Sequence, residues 1–230
     1  MKYDTILFDV DDTLFDFNAS QKSALHKAFL QYGFPTGVTD FMQRYKEISH
    51  DLWRLLEQGQ LDLEDLGVER FKRLFEECEL KIDAGKFNQV YLNFLGKEAH
   101  LVDGAETLCS QLSPFRLAVI TNGFKKVQHS RIALSPLCDT FQHIFTSEEA
   151  GYQKPDRRIF DFVFTKLELS EQDKDRVLIV GDSLTSDIQG GANYGIDTCW
   201  FNPRGTENET SIQPTYEIQM LTDLTKILLQ

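Results

Sequence analysis

Apolar residues follow two different rhythms along this chain, and the change between them divides it. Residues 5–10, Thr-Ile-Leu-Phe-Asp-Val, form a short apolar run of strand length. From about Asn18 to Leu95 the strand character disappears and apolar residues recur at helical spacing, which predicts four helices. Leu25, Ala28, Phe29 and Tyr32 make one stripe, and Phe41, Tyr45, Ile48, Leu52, Leu55 and Leu56 a second. Phe71, Leu74, Phe75 and Cys78 mark a third, and Phe87, Val90, Tyr91, Phe94 and Leu95 a fourth. Breaks fall at Gly33-Phe34-Pro35, Gly59 and Asp83-Ala84-Gly85, where glycine and proline favour turns.

After Pro114 short apolar runs return and alternate with helical stretches. Leu117–Thr121, His143–Thr146, Val177–Gly181 and Thr198–Phe201 join residues 5–10 to give about five strands. Strands alternating with helices predict an α/β fold, a Rossmann-like parallel sheet with helices on both faces. The helical block inserted after the first strand reads as a cap domain. The expected division is therefore a discontinuous sheet domain over 1–16 and 97–230, with a helical cap over 17–96.

Composition narrows the classes. With 41% hydrophobic and 26% charged residues in 230, there is material for a globular core. No run reaches the length of a membrane span, and the first apolar run carries Asp9, unlike a signal peptide. The expectation is a cytoplasmic protein with no membrane partner. Its 24 Lys+Arg against 36 Asp+Glu give a formal charge of −12, which argues against binding a nucleic acid polymer. An anionic substrate would need local attraction from a metal ion, lysines or helix N-termini. Cys78, Cys109, Cys138 and Cys199 lie far apart and form no Cys-x-x-Cys pair, so they read as reduced thiols.

Four short motifs fall at the carboxyl ends of predicted strands, the edge where open α/β sheets bind ligands. In Asp9-Val10-Asp11-Asp12-Thr13 two carboxylates stand two residues apart and would repel unless a cation or a reacting group lay between them. Helix capping is the bland alternative, and Asp12 and Thr13 suit it. Thr121-Asn122-Gly123 offers a hydroxyl and backbone donors to an oxyanion, though a strand-to-helix turn needs no more. Lys154-Pro155 could set one ammonium on a developing negative charge. Gly181-Asp182 followed by Asp187 supplies hard oxygen ligands suited to Mg²⁺, or a capped helix start at Asp182 and Ser183. Each motif is modest alone. Their order along the chain is specific. None of the five histidines sits in a motif, Gly190-Gly191-Ala192 makes a poor nucleotide-binding loop, and there is no Walker loop.

That ordered set resembles the haloacid dehalogenase superfamily over nearly the whole chain, with an insertion similar to its C1-type cap. Phe8–Phe15, Ile120–Phe124 and Thr198–Asn202 further resemble a bacterial pyrimidine 5′-nucleotidase group associated with noncanonical nucleotides. Leu52-Trp53 with Gly59, and Ile159–Phe162, add to that likeness. The resemblance implies a Mg²⁺-dependent phosphatase acting on a small phosphorylated metabolite, a nucleoside monophosphate above all. It implies Asp9 as nucleophile and Asp11 as general acid and base. Thr121, the Asn122 backbone and Lys154 would hold the phosphate. The ion would sit on Asp9, the Asp11 backbone carbonyl and Asp182, with Asp187 behind them or linked through water. Phe17, Trp53 and Phe124 are candidates for contacting a nucleobase, whereas the spacing of Tyr45 marks it as core. A sugar-phosphate phosphatase is the nearest rival, and a phosphoacceptor signalling module is the rival from outside enzymology. A haloacid dehalogenase would not need Asp11, and no cap lysine of a phosphonate hydrolase is evident.

Overall fold

The computed structural model describes residues 2–229. It divides into two compact units, one formed by the residues up to Asp16 and from His100 onward, the other by Phe17–Ala99. The first strand, β1 (Thr5–Phe8), ends two residues earlier than its apolar run. Asp9 still donates its N–H to the Val180 carbonyl, but the Val10 carbonyl already accepts from Leu14 and Phe15, which turns the chain out of the sheet.

The helical unit contains α1 (Phe17–Gln31), α2 (Gly37–Glu57), α3 (Leu63–Glu77) and α4 (Ala84–Leu95). Along α2 the fully buried apolar residues are Tyr45, Ile48, Leu52 and Leu56, one stripe at 3–4 residue spacing. Phe29, Phe71, Phe75, Phe87 and Tyr91 meet it in an aromatic core with ring centroids about 5–6 Å apart. Asp83 begins α4 by accepting from the Lys86 N–H. The unit extends past the expected boundary at 96 because Glu98 is buried within it, accepting from Ser23 and from Lys27 at 2.5 Å.

The other unit continues with α5 (Ala105–Gln111), β2 (Arg116–Thr121), α6 (Lys125–Ala133), β3 (His143–Thr146), α7 (Ser147–Ala150) and α8 (Arg157–Lys166). It ends with β4 (Val177–Gly181), α9 (Gln189–Tyr194), β5 (Asp197–Phe201), β6 (Tyr216–Ile218) and α10 (Leu224–Leu228). All strands pair in parallel, in the order β3-β2-β1-β4-β5-β6. Successive residues of β1 and β4 are all buried, so both faces of the sheet are covered, as parallel sheets require. On one face Leu7, Ala118, Ile120 and Ile179 pack with Ile159, Phe160 and Val163 of α8.

The sixth strand is a correction to the expected five. β6 has three residues, too few for a periodic signal, and is tied in by reciprocal Thr198–Thr215 hydrogen bonds and by Asn202 N–H to the Ile218 carbonyl. Because β1 has β2 on one side and β4 on the other, the connections reverse direction at its carboxyl end. That reversal is where open α/β sheets form their ligand crevice. No described helix is long and apolar enough to cross a membrane.

Candidate active site

Asp9 leaves β1 at this crevice and is 8% exposed. Its Oδ1 accepts from Lys154 Nζ at 2.7 Å, while Oδ2 accepts no hydrogen bond among the described residues. Lys154 is itself buried and uses all three N–H donors: on Asp9, on the Ile120 carbonyl at 2.7 Å, and on Asp187 Oδ1 at 2.6 Å. Burial alone would drive the proton from this ammonium, but Asp187 and Asp9 outweigh it and raise its pKa. Lys154 does not come straight from a strand end. It lies beyond α7, and Asn122 holds it there by accepting from the Lys154 N–H at 2.8 Å and donating to its carbonyl at 2.9 Å. The Asn122 amide also donates to Ser186 Oγ at 3.4 Å, and the Asn122 carbonyl accepts from Ser147 Oγ at 3.3 Å, which leaves the backbone N–H of Asn122 to meet a ligand.

Asp187 lies in a wide π-type turn, Leu184–Ile188, and its Oδ2 accepts from Ser183 N–H at 3.0 Å. It rests on Gly181, where an added Cβ would come within 2.2 Å of Asp187 Oδ2, so glycine at the end of β4 is a steric requirement. Ser183, not Asp182, caps this turn. Asp182 is left to face the crevice, its carbonyl accepting from Trp200 Nε1 and its Oδ1 from Thr13. Oxygens of Asp9, Asp182 and Asp187 all lie within 4.8 Å of one another. Burial, then neighbouring carboxylates, raise the Asp182 pKa well above the usual range. Burial raises Asp9 to about 7 against the opposing pull of Lys154.

The first motif does not cap a helix. Asp12 occupies the left-handed region at φ 58°, and α1 begins only at Phe17. Asp11 points its carboxylate toward α6 instead, where Gln128 Nε2 donates to Oδ2 at 2.6 Å and Arg131 pairs with Oδ1. Thr121 Oγ1 accepts from Gly123 N–H at 3.1 Å and from Gln128 Nε2 at 3.2 Å. With both acceptor positions used, its O–H is the donor it has left to offer. Phe124 is half-buried just before α6. Phe17 and Trp53 are half-buried in the helical unit, and Tyr45 is buried in that unit's aromatic core.

Residues 3–195 match the haloacid dehalogenase-like hydrolase family. The chain belongs to that family. Among relatives of this haloacid dehalogenase-like hydrolase, YfnB of Bacillus subtilis is 40% identical over 99% of this chain and 96% of its own. A magnesium-bound crystal structure of YfnB superposes with a TM-score of 0.92 at 39% identity, covering 100% of both chains. The pyrimidine 5′-nucleotidase PynA of Streptococcus pneumoniae is 35% identical over 97% of this chain and 94% of its own. The pyrimidine 5′-nucleotidase YjjG of Escherichia coli is 34% identical over 99% of both chains.

The donor set of this hydrolase fits a magnesium ion. Asp9, Asp182 and Asp187 are hard oxygen donors gathered at one point, and Lys154 is the ammonium set among them. A divalent cation would offset the mutual repulsion of these carboxylates, which adds to burial in raising Asp9 and Asp182. The Asp11 side chain stands apart from this cluster. Gln128 and Arg131 escaped the sequence reading; the available signal was a glutamine and an arginine, three apart, on the same stretch of α6 as buried Val127 and Ile132.

Proposed function

We propose that this hydrolase cleaves phosphate monoesters through attack by Asp9, and that its substrates are nucleoside 5′-monophosphates, pyrimidine ones first. The observation that carries the chemistry is the division of the Asp9 carboxylate: Lys154 holds Oδ1, and Oδ2 accepts no hydrogen bond among the described residues. A carboxylate held by one oxygen is oriented for in-line attack with the other, giving an aspartyl-phosphate and splitting one displacement into two steps. A magnesium ion held by Asp9, the Asp11 carbonyl and Asp182 would supply charge neutralisation between the carboxylate and the phosphate. Thr121 O–H and the backbone at Asn122 bind phosphoryl oxygens, and Lys154 balances their charge while fixing Asp9. Asp187 anchors Lys154. Asp11 protonates the leaving alcohol and then takes the proton of the attacking water.

The nucleotide preference is supported by two pyrimidine 5′-nucleotidases at 34% and 35% identity across nearly the whole chain. Phe17–Ala99 would serve as the cap that selects the leaving group, and Phe17, Trp53 and Phe124 are each a candidate for contacting a base. The cytoplasm is the compartment that suits it, and the four cysteines are unpaired thiols. Phosphate release, measured over many turnovers with Mg²⁺ across nucleoside monophosphates, sugar phosphates and nitrophenyl phosphate, tests the reading. Pyrimidine nucleotides are expected to rank first. A sugar phosphate in first place would move the protein to the rival phosphatase, and release limited to one equivalent would make it a phosphoacceptor module.

A further inference from the structure

The buried polar side chains of α6 have no role in the chemistry described so far. Gln128 and Arg131 are 1% and 0% exposed, one helical turn apart, and linked to each other by Arg131 donating to Gln128 Oε1 at 3.1 Å. Burying an amide and a guanidinium on a helix that also carries Val127 and Ile132 is costly unless their groups are engaged. Both are engaged on Asp11, one on each carboxylate oxygen. The arrangement is supported from three sides. The Arg131 guanidinium lies over the Phe15 ring at 4.9 Å, and Phe15 is bridged to the Asp11 loop through Asp12 N–H on its carbonyl. Gln128 Nε2 reaches Asp11 Oδ2 and Thr121 Oγ1 together. Its path crosses Gly123, where a Cβ would come within 2.1 Å of that same nitrogen, so only glycine lets the amide through.

We infer that Gln128 and Arg131 are positioning residues for Asp11, and that they fix its carboxylate beside the phosphate-binding hydroxyl of Thr121. Asp9 is confined by burial as well as by Lys154, whereas the Asp11 side chain is 28% exposed and, held by one oxygen alone, could swing about its Cβ bond. Held by both, and through the same amide that meets Thr121, it keeps a set distance from the bridging oxygen of a bound ester. Small displacements of a catalytic group lower the rate steeply, so such a hold is worth much of the group's contribution. The inference rests on the reading of Asp11 as the acid that serves the leaving group.

The test uses the full-length protein with Mg²⁺ and two esters, a nucleoside 5′-monophosphate and nitrophenyl phosphate. An alkoxide needs a proton as it leaves, whereas nitrophenolate largely does not. Arg131→Met is expected to lower the first-turnover rate of phosphoryl transfer from the nucleotide about 10- to 100-fold and from nitrophenyl phosphate by less than about threefold, because the later hydrolysis of the aspartyl-phosphate needs Asp11 whichever ester is used. Gln128→Leu, which also withdraws a donor from Thr121 Oγ1, should show the same excess loss on the nucleotide above a loss shared by both esters. Arg131→Lys should recover part of the loss. In an Asp11→Asn background Arg131→Met should change turnover by less than about twofold, because a positioning residue has nothing left to position. Asp11 keeps 28% of its side chain exposed, so losing one partner leaves it solvated, and Gln128→Leu carries the test if Arg131→Met does not fold. Equal first-turnover losses on both esters, Arg131→Met losses that multiply with Asp11→Asn, or faster turnover in the single variants would each overturn the inference. A wild-type enzyme that releases no phosphate from either ester would instead overturn the proposed function, and the inference with it.

Discussion

The helical unit and the carboxyl edge of the sheet both bury a cation, and they surround it differently. In the helical unit Arg70 is 1% exposed, lies across the rings of Phe71 and Tyr91, and donates to the Gly67 carbonyl and the Asn88 amide oxygen. At the sheet edge Lys154 and Arg131 are as deeply buried, and to a carbonyl, an amide oxygen and a ring they add the carboxylates of Asp9, Asp187 and Asp11. Rings and neutral oxygens settle a cation within a core. Carboxylates gathered in a crevice, with the pKa of Asp9 and of neighbouring Asp182 raised, leave an imbalance of charge that a metal ion can use. Burial of charge therefore separates the part of the molecule organised for stability from the part organised for chemistry.

The largest expected effect sharpens this contrast from the chemical side. Asp9→Asn should lower phosphate release by at least about 10⁴-fold, since the nucleophile is lost. In the same variant, denaturant unfolding at pH 8 with chelator present should show no loss of stability, because Asn keeps an oxygen for Lys154 and removes one of the crowded negative charges. Retained turnover would dismiss Asp9 as nucleophile. A large stability loss would mean the carboxylate holds the edge together, and the contrast would fail.

From the other side, Phe71→Ala should destabilise the helical unit by about 3–5 kcal/mol, the usual result of emptying a fully buried aromatic site. Phe71 is 0% exposed and meets Tyr45, Phe75, Phe87 and Tyr91. Below the melting range of the variant, hydrolysis of nitrophenyl phosphate should persist. A denaturation curve matching wild type would break the assignment of stability to this core.

What the sequence disclosed follows the same division. Helical stripes in 18–95 and the short motifs around Asp9, Thr121, Lys154 and Asp182 were legible because each depends on residues near one another in the chain. The hold on Asp11 was not, because Gln128 and Arg131 lie 117 and 120 residues away from it. The same distance hid the use of the Asn122 amide, which positions Lys154, 32 residues on. Asp12-Thr13 suited a helix cap by residue type alone, yet the chain forms a left-handed bend there and delays α1 to Phe17. Glu98 carried no periodic signal, so the helical unit's true end at Ala99 was visible only through its buried contacts with α1.

The smallest expected effect is a slope of stability against pH, and its sign follows from the buried acids. In metal-free protein, burial raises the Asp9 carboxyl from 3.8 to about 7, and Asp182 shifts the same way. Between those values the folded chain retains a proton that the unfolded chain has released. Where the folded state binds more protons, stability falls as pH rises. The fall should therefore begin near pH 4 and level off above pH 7, with a slope of at most about 1.4 kcal/mol per pH unit from one group. Acids such as Asp156 and Asp173, whose pKa is lowered by their hydrogen-bond partners, act in the opposite direction and at lower pH. Comparing wild type with Asp9→Asn cancels their contribution. With chelator present, the urea midpoint of the variant should gain on wild type from pH 4 to 7 and hold a constant lead above that. A lead that shrinks with rising pH would mean that Asp9 is ionised by Lys154 and stabilises the edge, placing the sheet edge beside the helical core as a structural element.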